Sequence, residues 1–468
     1  MNASTLRAQI DAVWDDSIVP TLHDYIRVPA QSPQFDPDWE RNGYIDEVVR
    51  MAKAWVDARG IAGLTTRVLR IPGRTPILLV ERPGDRAGTL LLYGHLDKQP
   101  PFTGWRPGLG PWEPVYTPEG KLYGRGASDD GYAVFASVCA LEALLAQGES
   151  LPRVTVLIEC SEESGSSDLP AYLEAYGDAL GTPDLIVCLD SGAGDYERLW
   201  LTTSLRGLVI GTLRVKVLEN GVHSGDASGV VPSSFRIARL LLDRLEDPVT
   251  GRLRPAGLHC EIPESRRQAA ERVGAVLGSH VWDKFPFVGE TTPMGNTPAD
   301  LVLNRTWRPT LSVTGADGLP ETAKAGNVLR PETALRLSIR IPPTVEPDDA
   351  LALIRGILLD DPPYGATVTL EDAHASGGWA APELAPWLSA ALDAASSAEY
   401  GAPSAAMGEG GSIPFMGMLG QRFPKAQFLI TGVLGPESNA HGPNEFLHVP
   451  YAKRLTACVA RIVAGLPG

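Results

Sequence analysis

Apolar and polar positions alternate along this chain in two different rhythms. Residues 4–28 carry the spacing of an amphipathic helix, and 42–59 predict a second helix ending before Gly60. Short apolar runs bounded by Gly and Pro follow at 75–83 (TPILLVERP) and 89–97 (TLLLYGHLD), and these predict strands. A helix is expected from 131 to about 147. Two β-branched-rich runs, 153–160 (RVTVLIEC) and 184–190 (DLIVCLD), flank another helical stretch. Near-continuous apolar strands alternating with helices predict a buried, mainly parallel sheet.

The rhythm changes after about residue 203. The segments 207–217 (GLVIGTLRVKV) and 333–342 (TALRLSIRIP) alternate apolar and polar residues, as strands with one wet face do. Helical stretches are expected near 232–246 and 346–360. From about 377 the first pattern returns, with a helix at 383–399, a strand at 427–433 (QFLITGV) and a last helix from about 450. The expectation is an α/β domain in two pieces, 1–203 and 377–468, interrupted by an inserted α+β domain, 204–376.

Composition narrows the function. The chain has 468 residues, ordinary for two domains. Its 41 Lys+Arg against 56 Asp+Glu give a net charge of -15, which argues against nucleic acid or an anionic membrane surface as partner. The N-terminus shows no signal-peptide pattern, and no apolar run is long enough to span a bilayer. The 5 Cys form no CxxC pair and read as free thiols of a reducing cytoplasm.

In open α/β sheets, ligands bind beyond the carboxyl ends of the strands. There stand His95 and Asp97, Glu162 and Glu163, Asp190 and, in a loop after the last strand, His441. Asp129 and Asp130 lie on a turn that opens a helix. Imidazole nitrogen with carboxylate oxygen, and no thiolate, is a metal-ligand set. Each residue alone has an ordinary explanation as a turn, cap or surface group. Their recurrence at four strand ends does not. No dinucleotide fingerprint, phosphate loop or GxSxG elbow occurs.

Six motifs then stand in order: YGHLD (93–97), GRGASDD (124–130), EESGS (162–166), HSG (223–225), EGGSIP (409–414) and NAHGPNE (439–445). Together they resemble the dizinc metallopeptidase family of aminoacylases, carboxypeptidases and carnosinase-type dipeptidases, over nearly the whole chain. The resemblance implies a zinc-peptidase catalytic domain and an inserted lid and dimerisation domain. It implies two divalent ions, zinc with manganese or cobalt as alternatives. His95 and Asp190 would hold one, Glu163 and His441 the other, and Asp129 would bridge them. Asp97 would accept the second imidazole N–H of His95, and Glu162 would be the general base. Asp130 falls outside this ligand set, pointing outward or capping the helix.

In the inserted domain the resemblance makes His223 an oxyanion donor, supplied by the partner subunit in dimeric members. Arg340 would grip the substrate's terminal carboxylate, with Asn327, Gly411 and Ser412 beside it. Within the family, Asp at position 190 goes with dipeptidases and aminopeptidases. The expected activity is therefore dipeptide hydrolysis by a cytoplasmic homodimer. The alternatives are an N-acyl amino acid amidohydrolase, a carboxypeptidase, and a noncatalytic binding protein, which should lack the base or a ligand. Three departures bear on the substrate: no Lys follows Asp130, Lys98 follows Asp97, and the segment 105–112 (WRPGLGPW) is unusual.

Overall fold

The computed structural model describes residues 2–411 and 413–467, apart from the Pro414 side chain. It divides into two compact units. The first comprises 1–202, 381–406 and 414–468; the second comprises 203–380 and 407–413.

A six-stranded sheet organises the first unit, in the order Thr65–Leu69, Ile77–Arg82, Arg153–Glu159, Thr89–His95, Leu185–Cys188, Gln427–Ile430. The last four strands are mutually parallel, and the first two pairings are antiparallel. The parallel strands are apolar almost throughout because helices cover the sheet. The helix Ala133–Ala146 packs on Thr89–His95 and on the last helix, Val449–Ala464. It is buried on nearly every face, so its sequence lacks a polar stripe.

The expected helix at 4–28 is one run with a defect. The α-helices Ala3–Val13 and Val19–Arg27 are joined by a wider, π-helical turn at Trp14–Ile18. Trp14 is fully buried there, and its Nε1 donates to Thr456 Oγ1 at 3.1 Å.

The second unit is a four-stranded antiparallel sheet, ordered Thr310–Asp317, Glu332–Ile341, Gly207–Lys216, Thr367–Ser376. Residues of Gly207–Lys216 alternate strictly between buried and half-buried. The buried face packs Val209, Leu213, Leu337 and Ile339 against Ile237 and Leu241 of one helix and Ile354 and Leu358 of another. The edge strand Thr310–Asp317 is mostly exposed, so it carries no alternation for a sequence reading to find. The segment Met407–Ile413 groups with this unit although it lies far away in sequence.

Candidate metal centre

Four adjacent parallel strands end at one edge of the first unit's sheet, and the polar residues that follow them converge. His95 closes its strand, fully buried. Its Nε2 lies 3.3 Å from Asp129 Oδ1 and 3.7 Å from Asp190 Oδ2. Across the site, His441 Nε2 lies 3.0 Å from Asp129 Oδ2 and 3.1 Å from Glu163 Oε2. Asp129 thus stands between the two imidazoles, one oxygen toward each. Glu162 and Glu163 open a single 3-10 turn after their strand. Two sets of donor atoms fall within 4.8 Å of one another: His95, Asp129 and Glu163, and His95, Glu162 and Asp190.

Asp97 is fully buried, and its carboxylate holds the backbone of both glutamates in place. Its Oδ1 accepts the Glu162 N–H at 3.2 Å, and its Oδ2 accepts the Glu163 N–H at 3.0 Å. His95 Nδ1 stands 3.1 Å from the Asp97 backbone carbonyl and 3.5 Å from its Oδ1. The imidazole therefore faces Asp97 through main chain as well as side chain.

Asp130 departs from the outward or helix-capping placement read from the sequence. It is fully buried, and its Oδ2 accepts the His95 N–H at 3.3 Å. Gly94 makes the room: a β-carbon there would stand 2.7 Å from that oxygen. The Asp129–Asp130 peptide bond is cis.

Charge crowding dominates the electrostatics. Burial, then the neighbouring Asp129 carboxylate, pushes Asp190 up to about 7. Burial and Asp190 raise Glu162 well above the usual range, and burial and Asp129 raise Glu163. Burial alone would lower both imidazoles. Asp129 and Asp97 reverse that at His95, and Asp129 and Glu163 lift His441 to about 11. Burial would raise Asp129, yet the two imidazoles hold it well below the usual carboxylate range.

The donor chemistry fits a divalent cation. His95 Nε2 and Glu163 Oε1 are buried without a hydrogen-bond partner, although both belong to groups that face other lone-pair donors. Imidazole nitrogens and carboxylate oxygens so arranged match borderline-hard divalent ions.

The remaining sequence-predicted residues among those described lie in the second unit. His223 ends a two-residue strand paired with Val328–Leu329, next to Asn327, whose carbonyl accepts the Ser224 N–H at 3.0 Å. His223 Nδ1 accepts the Gly225 N–H at 3.1 Å, which leaves the ring proton on Nε2, on an exposed side chain. Arg340 is half-buried on Glu332–Ile341, opposite Thr310 and Leu208. Gly411 is exposed, and Ser412 lies outside the described residues.

Sequence reasoning passed over two charged residues, Arg125 and Glu445. Both lie inside quoted motifs, but nothing in a motif tells that residues 320 apart form a buried pair. Gln99 was also missed; its Nε2 donates to Glu163 Oε2 at 2.6 Å. His448 stacks on Tyr196, and its Nδ1 caps the last helix by accepting the Tyr451 N–H.

This arrangement is a candidate site for divalent metal ions. The model of peptidase family M20/M25/M40 matches residues 91–465, and the chain belongs to that family. It is a metallopeptidase. It is 28% identical over 416 residues to the cysteinylglycine-S-conjugate dipeptidase of Corynebacterium striatum, covering 86% of this chain and 88% of that protein. It is 26% identical over 346 residues to the beta-Ala-His dipeptidase of Mus musculus, 71% of this chain and 68% of that one. The fold matches human carnosine dipeptidase 1 at a TM-score of 0.76 and 21% identity, over 99% of this chain and 98% of that chain. Among the described residues, no helix is long and apolar enough to cross a membrane.

Proposed function

We propose that this metallopeptidase is a dipeptidase that works with two divalent ions, zinc in the first instance. His95, Asp129 and Asp190 hold one ion; Asp129, Glu163 and His441 hold the other. Supporting this is one observation above all: Asp129 directs one oxygen to each imidazole, 3.3 Å and 3.0 Å away. The dipeptidase names of the two sequence relatives support the substrate class.

Bound divalent ions supply Lewis acidity and a lowered water pKa. The chain supplies the rest. Glu162 is half-buried, and its carboxylate, raised by burial and Asp190, is suited to take a proton and deliver it to the leaving amine nitrogen. Asp97 fixes the backbone from which Glu162 and Glu163 project. His223, with its proton on Nε2, donates to the developing oxyanion. Arg340 binds the free carboxylate of the dipeptide, where a planar two-toothed donor suits best, with Asn327, Gly411 and Ser412 beside it. The second unit acts as the lid and as the contact between two copies of a cytoplasmic homodimer.

A substrate panel tests the reading. Purified protein reconstituted with zinc should hydrolyse unmodified dipeptides and leave N-acyl amino acids largely uncut. Turnover confined to N-acyl amino acids would replace the dipeptidase with an amidohydrolase.

A further inference from the structure

His441 is held in an unusual way. Its side chain is 55% exposed, and its loop carries four non-glycine residues at positive φ: Glu437, Asn439, His441 and Asn444. Such residues persist only where surrounding structure fixes them. Within the loop, the Asn439 side-chain amide donates to the Pro443 carbonyl, and outside it Asn444 Oδ1 accepts the Arg106 N–H. Neither bond reaches Asp129 or the turn that carries it.

One buried pair does reach that turn. Arg125 and Glu445 are 1% and 0% exposed, and Arg125 Nη1 donates to Glu445 Oε2 at 2.6 Å. Arg125 Nη2 donates to the Gly442 carbonyl, the residue after His441, at 2.6 Å. Its Nε donates to the Pro100 carbonyl, in the segment that follows Asp97. Glu445 in turn accepts the N–H groups of Gly126 and Ser128 and the Ser128 hydroxyl, next to Asp129. The side-chain hydrogen bonds of the pair thus tie together the His441 loop, the Asp129 turn and the stretch after Asp97.

We infer that the Arg125–Glu445 pair is a positioning device for the second metal ion. It fixes the loop that presents His441 against the turn that presents Asp129. None of these hydrogen bonds ends on a donor atom of the metal site, so both residues act through the ligands. The inference rests on the dimetal reading above. Partners that orient ligands are expected to change metal affinity by about 10- to 100-fold when removed.

The test is metal binding by the full chain, stripped with chelator and titrated with zinc, and with cobalt for its absorption spectrum. Wild type should take up two ions. Glu445→Gln and Arg125→Met should keep one ion near wild-type affinity and bind the other at least about 10-fold more weakly. Glu399→Gln is the control, because Glu399 is a buried partner of Arg461 and Arg7 in the same unit. It should lower the thermal midpoint yet leave both affinities unchanged. Should Arg125→Met not fold, Glu445→Gln and Ser128→Ala carry the test, the latter with a smaller loss at the same ion. Two ions at wild-type affinity in the folded variants, or an equal loss in Glu399→Gln, would overturn the positioning role alone. A wild-type chain that takes up no ion would overturn the dimetal reading and this inference together.

Discussion

The Asp97 carboxylate holds the backbone of Glu163, accepting its N–H at 3.0 Å in a fully buried setting. Its other oxygen does the same for Glu162. Asp97 therefore fixes the turn that carries both the proposed ligand Glu163 and the proposed base Glu162. Asp97→Ala should leave both N–H groups without an acceptor and let that turn relax. The expected outcome is a loss of metal affinity of about 10- to 100-fold, read by calorimetric titration. Asp97→Asn keeps one acceptor oxygen and should fall between. Affinity unchanged in Asp97→Ala would remove Asp97 from the metal site.

Much of this site is legible in sequence because the sheet does the gathering. Parallel strands all point the same way, so the residues that follow them meet without any long-range guess. His95, Glu162, Glu163 and Asp190 each follow an apolar run that announces itself. Asp130 was misplaced because its inward position depends on the absent side chain of Gly94, a contact between segments that no local pattern records. The edge strand Thr310–Asp317 was unreadable for a different reason. It is mostly exposed, so burial never imposed a period-two pattern on it.

Glu162 separates binding from chemistry. It is half-buried at the start of its turn, and burial and Asp190 raise its carboxylate above the usual range. Glu162→Gln keeps the shape and loses the base. Turnover of a dipeptide should fall by at least about 10²- to 10⁴-fold, with the ion content by elemental analysis unchanged. Turnover within about tenfold of wild type would mean that another group moves the proton.

Lys98 is a stability residue beside the site. Its fully buried Nζ donates to the carbonyls of Tyr25 and Val28 at 2.7 Å, at the end of the helix Val19–Arg27. Each carbonyl also accepts a backbone N–H, Tyr25 from Val28 at 3.1 Å and Val28 from Ala30 at 2.9 Å, so the ammonium is a second donor to each. The ammonium also lies 3.9 Å from the Tyr25 ring centroid. Lys98→Met should remove both charge-assisted bonds while the carbonyls keep their backbone partners, and cost about 1–3 kcal/mol, read as a lower urea midpoint. Both metal affinities should survive, because Nζ points to the helix end. A variant as stable as wild type would show that removing a buried charge offsets the lost bonds.

The charge state of His441 gives a pH signature. In chelator-treated protein, burial opposes its proton, but Asp129 and Glu163 hold its folded pKa at about 11, against roughly 6.5 for an unfolded histidine. A raised folded pKa means that the stabilisation is fully present below about pH 6.5 and is lost as pH climbs through about 11. The thermal midpoints of wild type and His441→Ala, both stripped of metal, should therefore differ most at pH 6. The gap should narrow steadily through pH 8 and 10. Metal requires the neutral imidazole, so zinc binding at pH 7 should release protons, and calorimetry in buffers of different ionisation enthalpy will count them. The release should shrink in His441→Ala. A midpoint gap independent of pH, with equal proton release in both proteins, would place the His441 proton outside the metal site.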